Sequence, residues 1–154
     1  MDFQYLSKED IPKLENELFS KIGKDFLSRR VQKRRNLLDY VTKKNLFLIL
    51  TKEKGVIVGY LAYKLEKKGV GKIIGAGVEL NFRKRGIAKK MLKQAIQDLY
   101  NKKIDYIYSR TWETNLASIK LHETLGFKKY RTFKNDRVNG ESTIYFRLMK
   151  GDIQ

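Results

Sequence analysis

Residues 78 to 92 read Val-Glu-Leu-Asn-Phe-Arg-Lys-Arg-Gly-Ile-Ala-Lys-Lys-Met-Leu. An apolar run, Ile73-Ile74-Gly75-Ala76-Gly77-Val78-Glu79-Leu80, leads into them as a strand. A basic turn follows, Phe82-Arg83-Lys84-Arg85, and Gly86 opens a helix. Ile87, Met91, Ala95 and Leu99, with Ala88, Leu92 and Ile96 beside them, recur at helical spacing. A strand that feeds a basic turn and then a helix start is an anion site. The first helical N–H groups lack internal partners, and the helix dipole favours negative charge there. Gly86 has no Cβ to hold a ligand off the main chain. The expected ligand is a phosphate-bearing cofactor, although strand, turn and helix also occur in this order with no ligand at all.

A second stretch, 114 to 127, reads Thr-Asn-Leu-Ala-Ser-Ile-Lys-Leu-His-Glu-Thr-Leu-Gly-Phe. Arg83-x-x-Gly86-x-Ala88, then Asn115-x-Ala117-Ser118, then Leu125-Gly126-Phe127 together resemble the GNAT superfamily of acetyl-CoA-dependent N-acetyltransferases. The order of flanking elements fits as well, so the resemblance covers nearly the whole chain. It implies an α/β fold with a mixed, mostly antiparallel sheet of about seven strands and about four helices. It also implies acetyl transfer from acetyl-CoA to a primary amine, either a protein or peptide N-terminus or a small amine.

The length of 154 residues suits a single domain spanning 1–154 with one sizeable core. No apolar run is long enough to span a bilayer, and no signal peptide is expected from the acidic, mixed N-terminus. A cytoplasmic protein, monomer or homodimer, is the default expectation. Without cysteine there is no disulfide framework and no thiol nucleophile, so double displacement through Cys is excluded. One histidine excludes a multi-His zinc site, and no metal is expected. Lys and Arg number 34 against 17 Asp and Glu, a formal charge of +17. This balance predicts attraction to polyanions, but the cations are scattered, as on solvated faces.

In chain order, Asp2–Leu6 reads as a strand. Ser7 and Asp10 are both candidate caps of a helix with Pro12 in its first turn and Ile11, Leu14, Leu18 and Phe19 on one face. A second helix, over about 25–42, carries Arg29, Arg30, Arg34 and Arg35 within a basic stretch from 24 to 44. That stretch is a candidate nucleic-acid contact, though a solvated face is the better reading. Strands are expected at 46–50, 56–65, 73–80, 104–111, 128–133 and 142–149, with turns at Glu53-Lys54-Gly55 and Lys67-Lys68-Gly69.

For the cofactor, the helix-start amides are expected to take the pyrophosphate, with Arg83, Lys84, Arg85, Gly86, Ile87, Ala88, Lys89 and Lys90 around it. By the resemblance, Gly77, Val78 and Leu80 pair with the pantetheine arm as an added strand partner. A main-chain N–H near Val78 then stabilises the oxyanion. Asn115, Ser118 and His122 complete the cofactor set. Asn115 is equally suited to a helix N-cap, unless Thr114 takes the cap and frees it. Gly126 suits a helix C′ position. His122 stands where the family often has a tyrosine that protonates the departing thiolate; an imidazolium is one substitute. For the base, the residue matching a family glutamate is Arg110, which leaves Glu113 and Glu79 as nearby carboxylates.

Deprotonating a lysine amine at pH 7 costs about 4.6 kcal/mol, against about 1 to 1.4 for an α-amine. A site without a strong base therefore suits an N-terminus or another weakly basic amine. Two other classes fit the residues: a basic RNA- or ribosome-associated binding protein, and a GNAT-fold protein that senses coenzyme A without catalysis.

Overall fold

The structure is a computed structural model and describes residues 2–7, 9–18, 46–67 and 69–153. The basic stretch expected to form a second helix lies outside the described residues, as does Phe19.

Seven strands form one sheet in the order β1-β2-β3-β4-β5-β7-β6. They are β1 (Asp2–Tyr5), β2 (Phe47–Glu53), β3 (Val56–Lys67), β4 (Val70–Val78), β5 (Tyr106–Trp112), β6 (Lys128–Phe133) and β7 (Thr143–Met149). Three α-helices lie among the described residues, fewer than the four expected: α1 (Ile11–Glu17), α2 (Ile87–Tyr100) and α3 (Leu116–Thr124). All pairings are antiparallel except that of β4 with β5. That one parallel pair is joined by α2, as parallel strands require a crossover.

Local chemistry explains most boundaries. The β2–β3 hairpin turns through Lys54 at φ 51° and Gly55 at φ 80°, the two positive values that match the twist of the flanking strands. The strand expected to reach Leu80 stops at Val78. The Glu79 carboxylate accepts the Asn81 N–H at 3.2 Å and starts a 3-10 turn over Leu80–Phe82. Leu80, expected on the strand, is 67% exposed in that turn.

The sheet separates two cores. Ile87, Met91, Leu92, Ala95, Ile96 and Leu99 bury the predicted stripe of α2 against Leu61, Tyr63, Ile73 and Ile107. On the other face Leu14 and Leu18 meet Leu48, Leu50, Ile57, Tyr60 and Ile74. Gly71 allows α2 to sit close, since a Cβ there would lie 3.0 Å from both methyl groups of Leu99.

Asp10 occupies the N-cap position of α1 but makes no side-chain cap bond. Its buried carboxylate instead accepts from the Ser7 N–H and Oγ and forms an ion pair with Lys52 at 2.6 Å. Burial by itself would raise its pKa; the Lys52 and Ser7 donors outweigh this and hold it at about 2, below its usual 3.8. A depressed carboxyl pKa adds stability above the unfolded value that is lost as pH falls through the folded one. The cluster is therefore fully stabilising above about pH 4 and its contribution fades toward pH 2. Asp10→Asn should lower stability at pH 7 by about 2–3 kcal/mol and flatten that acid limb, read by urea unfolding at a series of pH values.

Candidate active site

The parallel pairing of β4 with β5 covers only Val70, Gly71 and Lys72 against Tyr106, Ile107 and Tyr108. Beyond it, β4 follows β3 to Val78 while β5 follows β7 to Trp112. Ala62 faces Gly75 and Tyr63 faces Ile73, which leaves Ile74 as the extra residue of a β-bulge. A bulge bends its strand and increases the twist. It sits just past the last β4–β5 pair, so the sheet splits into a wedge there.

The walls of the wedge follow from register. The Glu79 N–H donates to the Val58 carbonyl at 2.8 Å, and Val78 faces Gly59. Alternation in an antiparallel ladder then turns the main-chain groups of Val78 and Ala76 into the wedge and those of Gly77 toward Tyr60. Ala76 was not among the expected residues; counting back by two from Val78 finds it. On the other wall, the Glu113 N–H donates to Ser142 O at 3.1 Å, so by the same alternation Arg110 and Trp112 present their main chain to the opening.

The basic turn lies at the end of the β4 wall. The Arg83 Nε donates to the Val78 carbonyl at 2.9 Å, which folds this side chain back over the strand end. Arg85 donates to the Asn81 carbonyl and lies 5.0 Å over the Phe82 ring. Lys84 has φ 63° and Gly86, the N-cap of α2, has φ 77°. Among the described residues no side chain caps α2, and its first turn holds no acidic residue. A Cβ on Gly86 would meet nothing within 4 Å, so the helix start faces open space. Ile87 is buried and Ala88 packs against the core, which leaves their amides for a ligand. Lys89 and Lys90 are exposed, with Lys90 5.6 Å from the Phe3 ring. An open strand edge ending at uncapped, cation-rich amides suits a ligand that is amide-like along its length and phosphorylated at one end.

On α3, Asn115 is the N-cap. Its Oδ1 accepts the Ser118 N–H and its Nδ2 donates to Thr111 Oγ1 at 2.9 Å. Thr114 does not relieve it of that duty, because Thr114 donates to Glu141 through both N–H and hydroxyl. At the other end, the Gly126 N–H donates to Glu123 O and the Phe127 N–H to His122 O. With Gly126 at φ 97°, this is the Schellman pattern.

His122 is 5% exposed. Its ring stacks on Phe146 at 4.8 Å and meets the edge of Phe127 at 5.1 Å. Nδ1 lies 2.7 Å from the Ser118 carbonyl, which can only accept, so Nδ1 carries the proton. Nε2 then accepts from the Ser109 hydroxyl at 2.6 Å. Burial lowers the pKa below 6.5, against a smaller upward pull from the Ser118 carbonyl. The geometry is that of a neutral imidazole with both nitrogens occupied. Ser109 was not anticipated; it lies on β5, buried on the helical side.

The two carboxylates differ in placement. Glu113 accepts the Ser142 N–H at 2.8 Å and pins the end of β5 to the start of β7. Glu79 follows the free end of β4 and lines a cavity of about 420 Å³ with Glu17, Glu53, Lys54, Val58 and Phe82. Three carboxylates and one ammonium line it, although the chain as a whole carries +17. Among the described residues no group of His, Cys, Asp and Glu forms a metal site, and no helix is long and apolar enough to cross a membrane.

A mixed seven-stranded sheet that splits at its parallel pair, with an uncapped helix start at the split, defines an acetyl-CoA-dependent acetyltransferase fold. Residues 9–127 match the family model for the acetyltransferase (GNAT) family, and the chain belongs to that family. Acetyl-CoA is its co-substrate. The structure resembles the ribosomal-protein-S18-alanine N-acetyltransferase of Escherichia coli, with TM-score 0.77 at 15% identity, covering 96% of this chain and 92% of that one. It is equally similar to a ribosomal-protein-alanine N-acetyltransferase of Brucella melitensis, with TM-score 0.77, 17% identity and coverage of 97% and 99%. The protein yncA of Salmonella typhimurium, solved with its cofactor acetyl-CoA, aligns with TM-score 0.75 at 16% identity over 97% of this chain and 93% of that one. At these identities the likeness is one of fold. No curated protein matches the sequence.

A histidine whose folded pKa is depressed withholds a proton that the unfolded chain binds. Stability is therefore complete above the unfolded value and declines as pH falls through about 6.5. His122→Phe keeps the ring stack on Phe146 but leaves the Ser109 hydroxyl without its acceptor, at a cost of about 1–3 kcal/mol. Thermal melts between about pH 7.5 and 5.5 should show the decline in the wild type and a shallower one in the variant.

Proposed function

We propose that this protein acetylates a primary amine of low basicity, a protein or peptide N-terminus or a small amine, by direct attack on acetyl-CoA. The observation that carries this reading is the open edge of β4, which ends at Val78 and is followed, after one 3-10 turn and the basic turn, by the uncapped start of α2.

Acetyl-CoA supplies an activated acyl thioester. The residues proposed to hold it are Ala76 and Val78 along the wedge, the amides from Arg85 to Lys89, and the cations Arg83, Lys84, Arg85, Lys89 and Lys90; the Lys90 amide, also expected to contribute, is instead spent on the Gly86 carbonyl at 3.1 Å. Leu80 joins through its main chain and Gly77 by leaving room beside them. The Val78 N–H faces the wedge and is the proposed donor to the carbonyl oxygen as it gains charge. Asn115 and Ser118 shape the α3 side of the wedge. Their hydrogen bonds to Thr111 and within α3 make them positioning residues.

Glu79 is the proposed proton acceptor. It stands at the free end of β4, where Glu17 and Glu53 outnumber Lys54 around the cavity and favour an ammonium before it loses its proton; a carboxylate has lone pairs to spare beside the one that accepts the Asn81 N–H. Glu113 holds the β5–β7 join and is proposed as structural. His122, neutral and enclosed, does not serve as an imidazolium acid in this reading; it orients Ser109. Little is lost, because a thiol of pKa near 8.5 leaves as thiolate at pH 7 for about 2 kcal/mol. With no cysteine in the chain, double displacement through a thiol is excluded, and direct attack within one complex of amine and thioester is the proposed route.

Thiol release with an amine panel tests the reading. Initial-velocity plots should intersect, and an N-terminal peptide should outrun spermidine; parallel lines or equal rates would refute it. Glu79→Gln should lower kcat/KM for the amine about 100-fold, while Glu113→Gln changes it less than about threefold. Lys89→Glu should raise the KM for acetyl-CoA about tenfold with kcat preserved, because it places negative charge at the helix start.

A further inference from the structure

Strands β5, β7 and β6 read YIYSRTW, TIYFRLM and KKYRTF and contain no aspartate or glutamate. Their helical face holds Ser109 and Phe146 against His122. Their other face alternates rings and guanidinium groups. Register places Arg110 opposite Tyr145, Tyr108 opposite Arg147, and Arg131 on the far side of Tyr145.

The rings brace one another. Tyr108 and Tyr130 stack at 5.9 Å, and Phe133 meets Tyr145 edge-on at 5.1 Å. The cations lie on the rings: Arg147 is 5.3 Å from the Tyr130 ring and 5.9 Å from Tyr106, and Arg131 is 4.7 Å from Phe133. Arg131 and Arg147 are exposed, as are Tyr130 and Phe133. A guanidinium held against a ring keeps a fork of N–H donors suited to two oxygens of a carboxylate. The aromatic platform fixes the side chain in advance and so lowers the entropy lost on binding.

We propose that this face docks an acidic polypeptide segment, the part of the acceptor that flanks the amine. The amine's fate rests on the function proposed above; the docking does not. Two observations select a polypeptide over nucleic acid. Single strands bind by stacking bases on open ring faces, whereas here Arg147 and Arg131 already cover Tyr130 and Phe133. The face is also continuous with the wedge through Arg110 and Trp112 of β5, so what lies on it leads to the acyl carrier.

The test uses labelled peptides that share one N-terminal residue and continue with either Glu/Asp or Ser/Gly. Binding to the full chain with coenzyme A present is read by fluorescence anisotropy. The acidic peptide should bind at least about tenfold more tightly than the neutral one. Arg131→Gln with Arg147→Gln should remove most of that preference. Lys93→Gln with Lys120→Gln, an equal loss of charge on the helices, should preserve it. Equal weakening by both pairs would overturn the proposal in favour of diffuse attraction, and so would the absence of any preference in the wild type. Single-stranded RNA that outcompetes the acidic peptide, with its binding lost in the arginine pair, would overturn it in favour of a nucleic-acid surface. Thiol release is scored separately: retained docking without acetyl transfer counts against the amine assignment alone.

Discussion

Everything at the site follows from the parting of β4 and β5. The two strands share three residue pairs and then take different partners. A sheet continuous to Val78 would have spent the main-chain groups of Ala76 and Val78 on a neighbouring strand. The bulge at Ile74 bends β4 away at the place where pairing ends, and both flanking cores tolerate it because Ile73 and Ile74 each enter one of them. The same bend delivers the chain to Glu79, the 3-10 turn and Gly86. Binding surface and helix start are products of one irregularity.

Local features were legible in the sequence and nonlocal ones were not. The stripe of α2, the Gly55 turn, the Gly126 helix end and the Asn115 cap depend on neighbours within a few residues, and their residue types state the geometry. The bulge does not announce itself, since Ile73-Ile74-Gly75 reads as an ordinary apolar run and register is set by β3. The short reach of β4 was hidden for a different reason: Leu80 looks like a strand residue until the Glu79 carboxylate captures the Asn81 amide. Ala76 was missed because small residues in an apolar run give no sign of which edge their main chain faces.

His122 illustrates the same limit for chemistry. Its position in the motif suggested an acid, and its ordinary pKa allowed one. What holds it neutral is burial, supplied by the rings of Phe127 and Phe146, and its second nitrogen is taken by Ser109, 13 residues earlier on a neighbouring strand. None of these can be placed around it without the fold. Net charge misleads in a similar way. A total of +17 describes the whole molecule, yet Glu17, Glu53 and Glu79 line one cavity at the end of β4 with Lys54 as its single cation, while strands β5, β6 and β7 carry arginines and no carboxylate. Chemistry responds to such local fields, because separations beyond about 8–10 Å are screened at physiological salt.

The short seam between the two half-sheets also bears on how stiff the molecule is through its working cycle. Three rungs of parallel ladder resist spreading far less than the long antiparallel seams on either side. In the proposed complex a strand-like arm laid in the gap would act as a splint, bridging the two half-sheets where their own ladder is missing, so that the carrier itself would stiffen the seam.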